Sequence, residues 1–223
     1  MCLTKTNDLL LLVRKCLLPS QLGYEKLHSE ACELVVFGSR AAGVHSASSD
    51  VDVLLVTSHK SRLRAVNMDC VMLSPEEIRN PFWLGSELAS HVARYGHWIK
   101  GTGEWRDDVQ ISSRAVARKK QRVVSLVRNA AQRWGRLHPV FHLKYAVMIR
   151  RELQRLEILM SGVPIPPTPT LDSRWVAGEI SPSHLLELAT YSRQLFVLDS
   201  VPELRERISD PILSTLPDQT ENT

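Results

Sequence analysis

The 223-residue sequence predicts an α+β protein in which a mixed-sheet core, residues 1–108, precedes a helical domain, residues 109–216, and a flexible polar tail, residues 217–223. Three observations carry this reading. Short runs rich in Val, Leu and Met alternate with helical segments in the first hundred residues. Beyond Val109 apolar residues recur at three- and four-residue steps, and no segment repeats.

In chain order, residues 7–18 and 24–30 read as short helices, and residues 33–37, 50–56 and 65–73 as strands. Ser74, Pro75 and Glu77 form a capping box with proline at the first helical position, which starts a helix. A second helix covers residues 84–95, and the Thr102-Gly103 pair in "HWIKGTGEW" suggests a hairpin. Further on, Val116, Val123, Val127, Ala130, Trp134 and Leu137 make an amphipathic stripe, with Arg114, Arg118 and Arg122 on another face. Residues 140–160 continue as a helix that Ser161-Gly162 and the loop "PIPPTPT" terminate. Ser181-Pro182 opens a third helix over residues 181–198, and "VPELRERI" is a fourth.

Composition narrows the setting. With 43% hydrophobic and 23% charged residues the chain has enough apolar material for one large domain or two small ones. The apolar run from Leu9 to Val13 stops at Arg14 and Lys15, too short for a membrane span, so a soluble cytoplasmic protein with no membrane partner is expected. Cys2, Cys16, Cys32 and Cys70 show no CxxC spacing and imply neither zinc nor a disulfide framework. The net charge is +4, but Val109 to Arg151 contains no acidic residue and eleven Lys and Arg, which points to a polyanionic partner such as nucleotide or RNA.

The chemistry concentrates in "FGSRAAGVHSASSDVDVLLV", residues 37–56. Side chains alternate along a strand, so Asp50 and Asp52 share one face while Val51 and Val53 point to the core. Two carboxylates at a partly buried edge repel and lose hydration, a cost of several kcal/mol, roughly, that a cation relieves. Oxygen ligands on a strand suit Mg²⁺, which keeps waters and takes phosphate oxygens as further ligands. The Gly38-Ser39 turn can hold phosphate through backbone N–H groups and a hydroxyl. Asp69, within the apolar "VNMDCVML", is the third carboxylate that a two-metal site requires.

Gly38-Ser39, ten intervening residues, Asp50-Val51-Asp52 and the later Asp69 resemble the signature of the DNA polymerase β-type nucleotidyltransferase superfamily over residues 33–73. The resemblance implies a nucleotidyltransferase core and transfer of a nucleoside monophosphate from an NTP, ATP being the expected one, to an acceptor hydroxyl on an RNA end, a protein or a small molecule. It also implies that Asp50, Asp52 and Asp69 are catalytic residues binding two Mg²⁺ (or Mn²⁺) ions, and that Gly38, Ser39 and Arg40 hold the triphosphate. Compact bacterial members read G-S-x-A-R-G; Arg40, Ala41 and Gly43 fit, and Ala42 replaces the second arginine. "LASHVARYGHWIKG", "HLKYAVMIRRELQRLEILMSGVPI" and "WVAGEISPSHLLELA" are similar to bacterial and phage nucleotidyltransferases linked to RNA repair, with Lys144 and Arg150 in their pattern. An RNA acceptor would then meet the basic helical half, and the active site would lie in a cleft between the domains.

Other readings compete. A member of this superfamily can be a non-catalytic, antitoxin-like module that binds nucleotide or a partner. Arg133 to His138 matches the R-x4-H spacing of helical HEPN ribonucleases. Glu104, in the expected hairpin, is a possible general base. His138 and His142 stand at i, i+4 without an acidic neighbour, which favours packing over metal ligation.

Overall fold

The computed structural model describes residues 2–17, 23–58, 66–191 and 196–211. The chain forms two compact units, one of Met1–Ser112 with Pro164–Pro167 and the other of Ser113–Val163 with Thr168–Thr223. The expected tail, residues 217–223, lies outside the described residues.

The first unit runs α1 (Cys2–Leu17), α2 (Tyr24–Glu30), β1 (Ala31–Phe37), α3 (Gly38–Ala42), β2 (Val51–Thr57), β3 (Met68–Leu73), α4 (Pro81–Leu84), α5 (Glu87–Tyr95) and β4 (His97–Lys100). Its four-stranded sheet is mixed, as expected for an α+β core. The order is β3-β2-β1-β4, with β1 antiparallel to β2 and β4 and β2 parallel to β3. Helices cover both faces. Leu34, Val36, Val51, Val53 and Leu55 pack with Leu9, Val13 and Leu27 of α1 and α2, while Val35, Phe37, Leu54 and Val56 pack with Ala89 and Val92 of α5 and with Trp105. Burial on both faces is why β1 and β2 read as unbroken apolar runs. Asp52 interrupts that run on the α5 face.

One local expectation holds and two do not. Ser74 and Glu77 form the reciprocal capping box, Ser74 N–H to Glu77 Oε2 at 2.8 Å and Glu77 N–H to Ser74 Oγ at 3.1 Å. What it caps is a single 3₁₀ turn, Glu77–Arg79, because the chain turns again into Pro81 of α4. No hairpin forms at Thr102-Gly103. Gly101 and Gly103 both take positive φ, and a 3₁₀ turn, Glu104–Asp108, follows instead of a strand. That path folds Trp105 back under the sheet, where its indole N–H and that of Trp98 both donate to Glu33 Oε2, at 3.1 and 3.0 Å.

The second unit consists of α6 (Ser113–Arg133), α7 (Pro139–Met160), α8 (Thr168–Val176), α9 (Pro182–Tyr191), α10 (Phe196–Asp199) and α11 (Pro202–Ser209). Val123, Val127, Ile149, Leu153, Trp175, Leu185 and Leu204 form its core. The sequence reading missed α8, which starts inside "PIPPTPT". Proline is excluded only from a helix interior, so Pro169 is accommodated in the first turn, and Leu171 and Trp175, one turn apart, are buried. His138 caps α7, its Nδ1 accepting from Val140 N–H at 3.4 Å, and His142 stacks on Trp134 with ring centroids 4.0 Å apart.

Candidate active site

The site grows from the end of β1. Phe37, its last residue, is the register partner of Asp52 across the antiparallel β1/β2 pair. Gly38 then turns the chain with φ +73°, and a Cβ there would lie 2.0 Å from Asp52 Oδ2. The backbone conformation and the close approach each require glycine. The "GS" of the sequence is thus the backbone floor beneath the Asp52 carboxylate.

Asp52 is in turn the register partner of Asp69 across the parallel β2/β3 pair. Partners in a sheet share a face, so the two carboxylates project side by side on the α5 face. Asp52 is half-buried. Burial, reinforced by the negative charges of Asp69 and Asp50, pushes its carboxyl up to about 6. Asp69 is exposed, since β3 is an edge strand rather than the buried one its apolar neighbours suggested. Asp50 is also exposed and immediately precedes β2. None of the three carboxylates makes a hydrogen bond or ion pair among the described residues. No group of three or more His, Cys, Asp and Glu side chains among the described residues is placed to hold a metal ion. The structure therefore assembles Asp52 with Asp69, beside Gly38, and leaves Asp50 at the rim.

Ser39 follows within α3, half-buried, and Arg40 lies one residue further. Arg40 straps the loop that leads to Asp50. Its Nε and Nη2 donate to the Ser49 carbonyl at 2.8 and 2.5 Å, and Nη2 also reaches the Ala47 carbonyl at 3.4 Å. Ser46 Oγ lies 3.1 Å from Ser48 Oγ and 3.0 Å from Ser49 Oγ, tightening the same loop.

Residues 25–122 match the family model of the nucleotidyltransferase domain. The match covers the sheet, the Gly38-Ser39 turn and all three aspartates, and it continues into α6. No curated protein matches the chain closely enough to count as a relative. The matched region is followed by a helical region, the α+β organisation that the sequence predicts. Among the described residues no helix is long and apolar enough to cross a membrane.

Two further residues of this domain complete the picture. His91 of α5 sets its ring edge against Phe37 at a 6.1 Å centroid distance and donates Nδ1–H to the Ile165 carbonyl at 2.7 Å. It thus buttresses the turn that carries Gly38. Nothing in the sequence marks it, because a histidine in an amphipathic helix has no signature of its own. Glu104 is displaced from the role of general base. In the β1/β4 register Leu34 pairs with Lys100 and Val36 with His97, so the chain after Lys100 leaves at the Glu33 end of β1, opposite Gly38.

Proposed function

We propose that this protein transfers a nucleoside monophosphate from an NTP, ATP being the expected donor, to an acceptor hydroxyl on an RNA end, a protein or a small molecule. In this reaction the acceptor oxygen bonds to the α-phosphorus, the bond to the α–β bridging oxygen breaks, and pyrophosphate leaves while the acceptor proton is lost to solvent. One observation carries the reading: Asp52 and Asp69 stand side by side beside the Gly38 turn with no cationic partner among the described residues, and burial, reinforced by the neighbouring negative charges, pushes Asp52 up to about 6.

An acidic pair of this kind fits a hard divalent cation. Asp52 and Asp69 would hold it, with Asp50 as a further ligand from the rim, and NTP oxygens would supply what three carboxylates do not. Bound Mg²⁺ or Mn²⁺ would neutralise the pair and offset charge on the attacking and leaving oxygens. The chain's own contribution is positional. Gly38 brings backbone close to the Asp52 carboxylate without a side chain in between, Ser39 offers a hydroxyl to the phosphates, and Arg40 holds the loop before Asp50 while its Nη1 stays available to the triphosphate.

The ribonuclease alternative draws less support, because His138 uses Nδ1 to cap α7. The non-catalytic alternative predicts nucleotide or partner binding without turnover. Incubation with each α-³²P-labelled NTP, Mg²⁺ or Mn²⁺, and total RNA or cell lysate decides between them. Label entering a macromolecule supports transfer and identifies the acceptor class; no label with any nucleotide, despite measurable NTP binding, supports the binding module.

A further inference from the structure

We infer that the outward face of α6 is a docking surface for single-stranded nucleic acid. The basic stretch is not uniform. Lys119 and Arg122 are drawn to Glu152, at 3.0 and 3.5 Å, and Arg150 and Arg151 share Asp172, both at 2.7 Å. Those four cations are paired within the unit, Glu152 and Asp172 serving as shared carboxylates. Arg118, Arg128 and Arg133 are exposed and form no ion pair among the described residues. At 3.6 residues per turn they share one helix sector of about 140° with Gln121, Asn129 and Gln132. All six are exposed, and no acidic side chain occurs anywhere in α6.

The composition of this face selects its partner. From Arg118 to Arg133 it runs about 22 Å, enough for several phosphates of a strand. The amides between the guanidiniums can donate to phosphate and accept from sugar hydroxyls or base edges, which an acidic protein surface would not call for. The apolar residues of α6, Val123, Val124 and Val127, are buried, so the helix has no face to insert into lipid. Just beyond its C-terminus, Phe141 stands 49% exposed one turn before Lys144, an aromatic platform beside a cation. Single strands use this combination, because their bases are free to stack.

The surface does not depend on the transfer reading, and the test separates the two. Binding of a labelled single-stranded RNA of about 20 nucleotides is followed by fluorescence anisotropy from about 50 to 200 mM salt. Replacing Arg118, Arg128 and Arg133 together by Gln should weaken binding and flatten the slope of log K against log salt by about two units, at roughly 0.7 per phosphate on a single strand. Phe141→Ala should weaken binding about fivefold or more with the slope unchanged. Asp52→Asn should bind as the wild type does, whether or not it transfers nucleotide. The proposal is overturned if the triple variant keeps the wild-type slope, or if polyglutamate of matched charge displaces the RNA as well as unlabelled RNA does, which would indicate an acidic protein partner.

Discussion

Asp52 and Asp69 are direct partners in a parallel strand pair, one half-buried and the other exposed, with no cation beside either among the described residues. Parallel pairing of like charges on one face is destabilising, and sheets ordinarily avoid it. The pair persists beside a glycine turn that no other residue could replace. Repulsion is therefore built into the domain in the absence of a ligand, with consequences that can be measured.

The first is pH-dependent stability. The Asp52 carboxyl is raised from 3.8 to about 6 in the folded state, so between about pH 4 and 6 the folded protein holds a proton that the unfolded chain has released. Stability of the metal-free protein from this group is greatest below pH 4, falls as pH rises through this window and stays low above 6. Asp52→Asn removes the charge, so its melting temperature should exceed that of wild type at pH 7 and the difference should vanish near pH 4. A difference independent of pH would show that Asp52 is not under this strain.

The second concerns Gly38. Alanine there must adopt φ +73° and place its methyl 2.0 Å from Asp52 Oδ2. The backbone conformation alone costs about 1–3 kcal/mol, and the carboxylate must also move. Gly38→Ala should lower stability in chemical denaturation and abolish NTP turnover. Gly43 also has a positive φ but no neighbour within 4 Å of its Cβ, so Gly43→Ala should cost stability and keep activity.

The third concerns the Arg40 strap. Arg40→Gln removes the guanidinium bonds to Ser49 and Ala47 and should release the loop of residues 44–50. Elastase, which cuts after small residues, should cleave there faster than in wild type. Equal cleavage rates would mean that the serine hydroxyls alone hold the loop.

The fourth tests the helical unit. Glu152 is buried against Lys119, which is 4% exposed, and also meets Arg155 at 2.6 Å. Burial pushes the Glu152 carboxyl up, but Lys119 and Arg155 outweigh it and hold the group below its usual range. Glu152→Gln removes the carboxylate charge that the buried Lys119 shares with Arg122 and Arg155, and should cost about 3–5 kcal/mol in denaturant unfolding. The Lys119→Met, Glu152→Leu double variant should recover most of that loss. A double variant as unstable as the single one would show that packing, not charge, sets the effect.

The Gly38-Ser39 and Asp50-Val51-Asp52 motif was legible because its physics is local. A glycine required by a close approach and aspartates at alternating strand positions leave a direct imprint on sequence, as do a capping box at Ser74 and Glu77 and the period of α6. What was lost depended on strand order. Asp69 looked buried by its neighbours, but only the pairing of β3 with β2 alone makes it an edge residue. Glu104 looked close to the site until the β1/β4 register sent the chain after Lys100 to the other end of the sheet. Prolines hid α8, since their effect depends on whether they fall in the first turn or the interior. The basic stretch was visible as a charge bias, but which cations are spent on Glu152 and Asp172 depends on helix packing.

The most direct measurement is pyrophosphate release from each NTP, with Mg²⁺ or Mn²⁺ and the acceptor fraction found by labelling, comparing wild type with Asp52→Asn and Asp69→Asn. Release by wild type, and its loss in both variants with the fold retained by circular dichroism, is the expected result. Undiminished release by either variant would contradict the assignment of the Asp52–Asp69 pair as the site of transfer.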